Sequence, residues 1–182
     1  VVPVYRGLRD TQRCIESVLV AAGRTPFELV VVDDCSPEPA LSAWLDAEAD
    51  AGRIVLLRNE SNRGFVGAVN RGMSLHPDRD VVLLNSDTEV ANDWLDRLVA
   101  CAASAPDIAT VTPFSNNATI GSYPFEGWGG GIPGQLGLAA LGGRFARTNA
   151  GQPAELPTGE GVGPLVRRPC LDRGGPFDGA RV

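Results

Sequence analysis

Four acidic side chains follow directly on short aliphatic runs, where a strand end can aim them at a ligand. Asp33 and Asp34 come straight after Phe27 to Val32. Asp87 and Glu89 come after Val81 to Leu84, within Asn85-Ser86-Asp87-Thr88-Glu89. Carboxylates brought together repel one another unless a cation or hydrogen-bond donors compensate them. A hard divalent metal that also grips phosphate oxygens suits such a set. A third aliphatic run closes in the polar turn Pro3-Val4-Tyr5-Arg6-Gly7. What the chain lacks narrows the chemistry further. All 16 basic residues are arginine, which removes a phosphate-loop lysine, Schiff-base chemistry and a lysine general base together. His76 is the only histidine, and Pro77 follows it, so neither a histidine-based triad nor a multi-histidine metal site is expected.

These residues need a scaffold, and the hydrophobic pattern supplies one. Val1 to Tyr5, Phe27 to Val32, Ile54 to Leu57, Val81 to Leu84 and Ile108 to Thr112 read as strands. Between them, Leu8 to Ala22, Pro37 to Ala51, Phe65 to Leu75 and Trp94 to Ala103 carry apolar residues at helical spacing. Asn92 is the expected cap of the last of these helices. Strands that are apolar throughout and alternate with helices predict an α/β fold with a parallel sheet covered on both faces. Ligands in such sheets bind beyond the carboxyl ends of the strands. Trp44 and Trp94 fall on amphipathic helices and are expected in the core. His76, ahead of Pro77, reads as a helix-end residue.

With 182 residues the chain holds one domain with a real core. Its net charge of −6 argues against a nucleic-acid partner, and no apolar run reaches the length of a membrane span. Cys14, Cys35, Cys101 and Cys170 form no Cys-x-x-Cys pair. They read as reduced, mostly buried thiols, which points to the cytoplasm. Sixteen of the 22 glycines lie beyond residue 112. Residues 1–112 therefore read as a regular βα half, and 113–182 as a loop-rich half. Pro113 to Pro157 is expected to be a long irregular segment. Gly129 to Gly134 fits a G-x-G-x-x-G pattern, but it contains Pro133 and follows no strand, so it is discounted as a dinucleotide site. Val1 enters partway through a strand, and the chain stops shortly after Asp178. A piece of a longer protein is expected.

Taken in order, several blocks resemble family 2 glycosyltransferases. They are Val2-Pro3-Val4-Tyr5, then Val31-Val32-Asp33-Asp34-Cys35-Ser36, then Asn59 to Asn70 with Asn62-Arg63-Gly64-Phe65, then Leu83-Leu84-Asn85-Ser86-Asp87-Thr88. The stretch from Pro157 through Arg167-Arg168-Pro169-Cys170 to Gly174-Gly175-Pro176-Phe177-Asp178 matches a later block. The resemblance implies the Rossmann-like GT-A fold, a mostly parallel central sheet flanked by helices. Here that sheet would be followed by a glycine-rich irregular segment in the last third. It implies one catalytic domain over 1–182, truncated, with a nucleotide-binding half at 1–112 and a donor and acceptor half at 113–182.

By the same resemblance, Pro3, Val4 and Tyr5 line the nucleotide pocket. Asp34, with Asp33, accepts hydrogen bonds from base or ribose, and Arg63 lies in the nucleotide-side loop. Asn85-Ser86-Asp87 stands where the family carries Asp-x-Asp. Asp87 would be the ligand to Mg²⁺ or Mn²⁺, and Asn85 replaces the usual first aspartate. Apart from the resemblance, the glycines around Gly159, Glu160 and Gly161 would let backbone approach the donor sugar or acceptor, and Tyr123 and Trp128 in the loop segment are stacking candidates. Arg167 and Arg168 are expected to be structural or solvated.

The implied reaction passes a sugar from a UDP- or dTDP-sugar to an acceptor hydroxyl with inversion, assisted by the metal. The acceptor is a glycan, a lipid-linked sugar or a protein, and the location is cytoplasmic, including the inner face of a membrane. The general base is expected beyond Val182. The alternative is a catalytically degenerate module that binds without transferring. A sugar-1-phosphate nucleotidyltransferase would carry catalytic lysines. A nicotinamide oxidoreductase would carry its glycine fingerprint after the first strand, where Tyr5-Arg6-Gly7-Leu8 has one glycine.

Overall fold

A computed structural model describes residues 1–118, 121–122, 137–149, 153–155 and 163–179. The elements run β1 (Val2–Val4), α1 (Leu8–Val20), β2 (Val30–Asp33), α2 (Pro39–Asp50), β3 (Val55–Arg58), α3 (Gly64–Met73), β4 (Val81–Val82), α4 (Trp94–Ala102), β5 (Thr110–Val111), α5 (Leu138–Thr148), β6 (Leu165–Val166) and α6 (Arg168–Gly174). Strands β1, β2 and β3 pair in parallel, with Val2 opposite Val31 and Val31 opposite Leu56. Strand β6 lies between β4 and β5, antiparallel to both. Two bonds join the trios. The Val1 nitrogen donates to Val82 O at 2.7 Å, and Leu84 N–H donates to Val1 O at 3.0 Å. The combined order is β3-β2-β1-β4-β6-β5, and β6 alone runs against the rest.

Alternation along the strands divides the core between the two faces. Val2, Val4 and Val31 pack with Cys14, Ile15 and Val18 of α1 and with Leu41 and Leu45 of α2. Val30 and Val32 face the other way, onto Ala68 of α3. Each of these fully buried aliphatics contributes roughly 1.5–3 kcal/mol. Trp44 and Trp94 are half-buried against the larger cluster, as their helical positions imply. Pro39 opens α2, where its missing N–H is no loss.

Helix α3 comes unusually close to the sheet at Gly72. A Cβ placed there would collide with the Val1 side chain and stand 3.1 Å from Val32 Cγ2, and Val32 is fully buried. Gly72→Ala is therefore expected to destabilise the fold by about 1–3 kcal/mol through overpacking. Urea unfolding would read this as a lower midpoint with an unchanged slope.

Several expectations need correction. The second strand begins at Val30, because Phe27 is 52% exposed and lies in the loop before it. Helix α1 ends at Val20, and Ala21 is already extended, so Ala22 lies outside it. Asn92 does not cap α4. It sits at φ +59, the cap position belongs to Asp93, and the Asn92 amide donates to Ala139 O at 2.9 Å instead. The glycine-rich segment contains a helix, α5, whose Phe145 ring stacks 5.7 Å from that of Phe114. The cysteines are free, but only Cys14 is buried; Cys35 is exposed and the other two are half-buried. Arg167 and Arg168 are structural. Arg168 donates to Arg79 O, His76 O and Met73 O, and Arg167 to Ile108 O. His76 lies past the end of α3, and its Nε2 pairs with the Glu28 carboxylate.

Candidate functional site

The carboxyl ends of β1 and β4 open into one cleft of about 460 Å³, lined by Pro3, Arg6, Asp10, Phe65, Asn85, Ser86 and Asp87. Its shape follows from three loops leaving neighbouring strands at the same edge. Pro3 comes from β1 and Arg6 from the turn after it. Asn85, Ser86 and Asp87 follow β4, and Phe65 stands in the first turn of α3.

The loop after β4 is braced from beneath by α1. Cys14 Sγ donates to Asn85 O at 3.4 Å, and Ser17 Oγ accepts Val90 N–H at 3.0 Å. Burial above all, with the nearby Asp87 and Glu89 carboxylates adding to it, pushes the Cys14 thiol up to about 12. It therefore remains a protonated donor at neutral pH and serves as a brace, not a nucleophile. The bracing leaves Asp87 exposed at the cleft, with no hydrogen bond or ion pair to another of the described residues. Among the described residues no three His, Cys, Asp or Glu side chains gather into a metal-holding group. Asp33, Asp34, Asp87 and Glu89 follow strands that end at the same sheet edge but do not form such a group, and Asp33 and Asp34 are engaged by donors of their own.

Asp33 and Asp34 are 2% and 3% exposed. Asp33 accepts Ser36 N–H at 2.8 Å, Arg58 Nε at 3.2 Å and Ser42 Oγ at 3.3 Å. It thereby shapes the turn from β2 into α2. Asp34 accepts the Asn59 amide at 2.5 Å and Arg63 N–H at 2.9 Å on Oδ1, and at 3.1 Å on Oδ2. Asn59 is itself held, since its Oδ1 accepts Arg71 Nη1 at 2.6 Å. Such satisfied networks are rigid, because every buried polar atom has its partner. Arg63 thus meets Asp34 through its main chain, while its side chain is exposed.

The other expected residues distribute as follows. Pro3 lines the cleft, and Tyr5 is 39% exposed beside it. Val4 points into the core at 1% exposure and contributes only its carbonyl, which accepts Asp34 N–H at 2.8 Å. Gly159, Glu160, Gly161, Tyr123, Trp128 and the Gly129 to Gly134 pattern lie outside the described residues. Arg6, Asp10 and Phe65 were not foreseen in the cleft. Arg6 directly follows the first quoted block and Phe65 lies inside the third, which was the available signal; Asp10, further along α1, carries none. Asn70 was inside a block but had no role. Its amide donates to Phe177 O and accepts Phe177 N–H, both at 2.9 Å, and so ties the late Gly-Gly-Pro-Phe-Asp block onto α3.

A second concavity of about 520 Å³ lies at Arg24, Thr25, Asp93, Asp96 and Arg97. Both of its carboxylates are engaged, Asp93 by Arg97 Nε at 3.1 Å and Asp96 by the neighbouring loop. The Thr25 hydroxyl first, then the Arg24 and Thr25 N–H groups, hold Asp96 below the usual carboxylate range. That arrangement ties down a loop. The cleft at the strand ends places a carboxylate that is uncommitted among the described residues beside amide and hydroxyl oxygens.

Comparison with known proteins identifies relatives of the chain. The model of the family described as "Glycosyl transferase family 2" matches residues 1–168. The succinoglycan biosynthesis protein ExoO of Rhizobium meliloti is 39% identical over 105 residues, covering 58% of this chain and 29% of that protein. The glucosyl-dolichyl phosphate glucuronosyltransferase of Haloferax volcanii is 31% identical over 107 residues, covering 59% of this chain and 33% of that protein. The chain thus spans a third or less of these two relatives. The fold is similar to that of a mannosyltransferase from Pyrobaculum calidifontis solved with GDP-Man and Mn²⁺. The TM-score is 0.67 at 21% identity, over 97% of this chain and 46% of that one. Motif order, fold and family match coincide over most of the length: the chain belongs to glycosyl transferase family 2.

Proposed function

We propose that this domain binds a UDP- or dTDP-sugar in the cleft and transfers the sugar to an acceptor hydroxyl with inversion. The observation that supports it most is the placement of Asp87, uncommitted among the described residues, at the mouth of a cleft whose wall is the braced loop after β4. Asp34 would set the base and ribose end, held rigid by Asn59 and by Arg63 N–H. Pro3 and Tyr5 would flank the nucleoside.

A Mg²⁺ or Mn²⁺ ion fits the site's oxygen donors. Asp87 would hold it, and the donor's phosphates would complete a coordination that one protein carboxylate leaves open. When bound, the ion supplies charge stabilisation for the departing diphosphate. Asn85, braced by Cys14 through its carbonyl, keeps the loop from moving as that charge develops. The general base is assigned to none of the described residues. The acceptor is proposed to be a glycan, a lipid-linked sugar or a protein. Among the described residues no helix is long and apolar enough to cross a membrane. We place the domain at the cytoplasmic side, including the inner face of a membrane.

Asn85 in place of an acidic residue favours a second reading, a domain that binds the donor without turning it over. Donor turnover separates the two. UDP- and dTDP-hexoses would be incubated with the protein and a simple glycoside, and nucleotide release followed. The product anomer would be read from proton couplings by NMR. Cation-dependent release with an inverted anomer is expected. A retained anomer, or release indifferent to chelator, would refute the proposed reaction. Binding without release would establish the second reading.

A further inference from the structure

We propose that Arg6 grips the donor's diphosphate and that Glu38, from the neighbouring loop, holds Arg6 in place to do so. The proposal rests on the nucleotide-donor reading above and assigns roles to two residues within it.

Arg6 is the one basic side chain among the described residues that line the cleft, and it shares that lining with Asn85, Ser86 and Asp87. Its guanidinium carbon lies 5.1 Å from the centroid of the Tyr5 ring. A cation held over a ring face is restrained without spending its N–H donors. No carboxylate of the described residues forms an ion pair with it, although Asp10 lines the same cleft. The guanidinium thus keeps its five donors in a planar fork, the geometry that engages two phosphate oxygens at once. Beside the cation proposed at Asp87, Arg6 is the positive group this lining offers a diphosphate. The ionisable lining is otherwise Asp10 and Asp87, which would repel a multiply charged diphosphate.

The turn carrying Arg6 is held from outside the cleft. Gly7, the next residue, has φ +93, a conformation that other residues rarely adopt. Glu38 accepts Gly7 N–H at 3.2 and 3.3 Å and Leu8 N–H at 3.3 Å. These are orphan donors of the first turn of α1, where a carboxylate is also favoured by the helix dipole. Glu38 is positioned in its turn. Its N–H donates to Ser36 Oγ at 3.1 Å, and Ser36 N–H donates to buried Asp33 at 2.8 Å. One chain of bonds therefore runs from Asp33 through Ser36 and Glu38 to the residue beside Arg6. Glu38 does not line the cleft, so it is a positioning residue; Arg6 is the binding one.

The test is calorimetric titration of the intact chain with UDP, UMP and uridine, and with dTDP, dTMP and thymidine, all with Mn²⁺ present. Wild type is expected to prefer the diphosphate of one series. Arg6→Gln should weaken that diphosphate roughly tenfold to a hundredfold, the loss of a charge-assisted contact, and leave the nucleoside unchanged. Arg6→Lys should recover part of the loss, since it restores the charge but not the fork. Glu38→Ala should weaken the diphosphate by a smaller factor, again with the nucleoside unchanged. Circular dichroism would verify that each variant is folded. Diphosphate binding by Arg6→Gln equal to wild type, or an equal loss of diphosphate and nucleoside, would overturn the proposal. A folded wild type that binds none of the six compounds would overturn the donor reading itself.

Discussion

Asp87→Asn is expected to abolish the cation dependence of nucleotide binding while leaving the protein folded. The substitution keeps the size and removes the charge. Because Asp87 is exposed and makes no bond to another of the described residues, stability should stay within about 0.5 kcal/mol of wild type. The functional loss should be large for the same reason. With Asn85 already neutral, the three-residue loop segment would then present no charge at all. Donor turnover should fall by about 10²–10³, the range seen when one source of transition-state charge stabilisation is removed. Thermal melting and a Mn²⁺ titration of donor turnover would check the two halves separately. A variant that still responds to Mn²⁺ as wild type does would move the metal away from Asp87.

Asp34→Ala should behave in the opposite way, damaging stability and binding together. Asp34 is buried, and both of its partners are donors, the Asn59 amide and Arg63 N–H. Removing the acceptor leaves those donors unmatched, at about 1–3 kcal/mol for each group that stays buried. The penalty spreads because Asn59 also receives Arg71 and so ties the end of β3 to α3. Denaturant unfolding should show a midpoint well below wild type, and nucleoside affinity should fall in the same variant. Asp34→Asn is the informative companion. Its amide oxygen can still accept from both donors, so most of the stability should return. If Asp34→Ala were as stable as wild type, the network would not be the support described above.

The parts of the fold that were legible in the sequence are those set by local periodicity. Ile15 and Val18 of α1, Leu41 and Leu45 of α2, and the unbroken Val30-Val31-Val32 run announce buried faces, and the structure buries them. The misread parts depend on distant contacts. Phe27 looks like strand, but Asp96, 71 residues away from Thr25, ties the preceding loop outward. Helix α5 was hidden because Gly142 and Gly143 weaken its pattern. Strand β6 is only two residues long, and nothing local reveals that it inserts between β4 and β5.

The site divides in the same way. Strand-end positions such as Pro3, Asn85 and Asp87 follow from the alternation of elements, and the cleft contains them. Arg6 depends on the left-handed turn at Gly7, and Glu38 on a contact across 31 residues. The opposite roles of the acidic residues were equally hidden. Asp33 and Asp87 look alike in the sequence, yet one is buried among three donors and the other stands open at the cleft.

The central claim is that the cleft between β1 and β4 holds a nucleoside diphosphate together with a divalent cation. Calorimetric titration of the wild-type chain with UDP and dTDP, in Mn²⁺ and again in chelator, tests it most directly. Saturable binding of one nucleotide in Mn²⁺, weakened at least tenfold by chelator, is the predicted result. A folded chain that binds neither nucleotide, or binds one equally well in chelator, would contradict it.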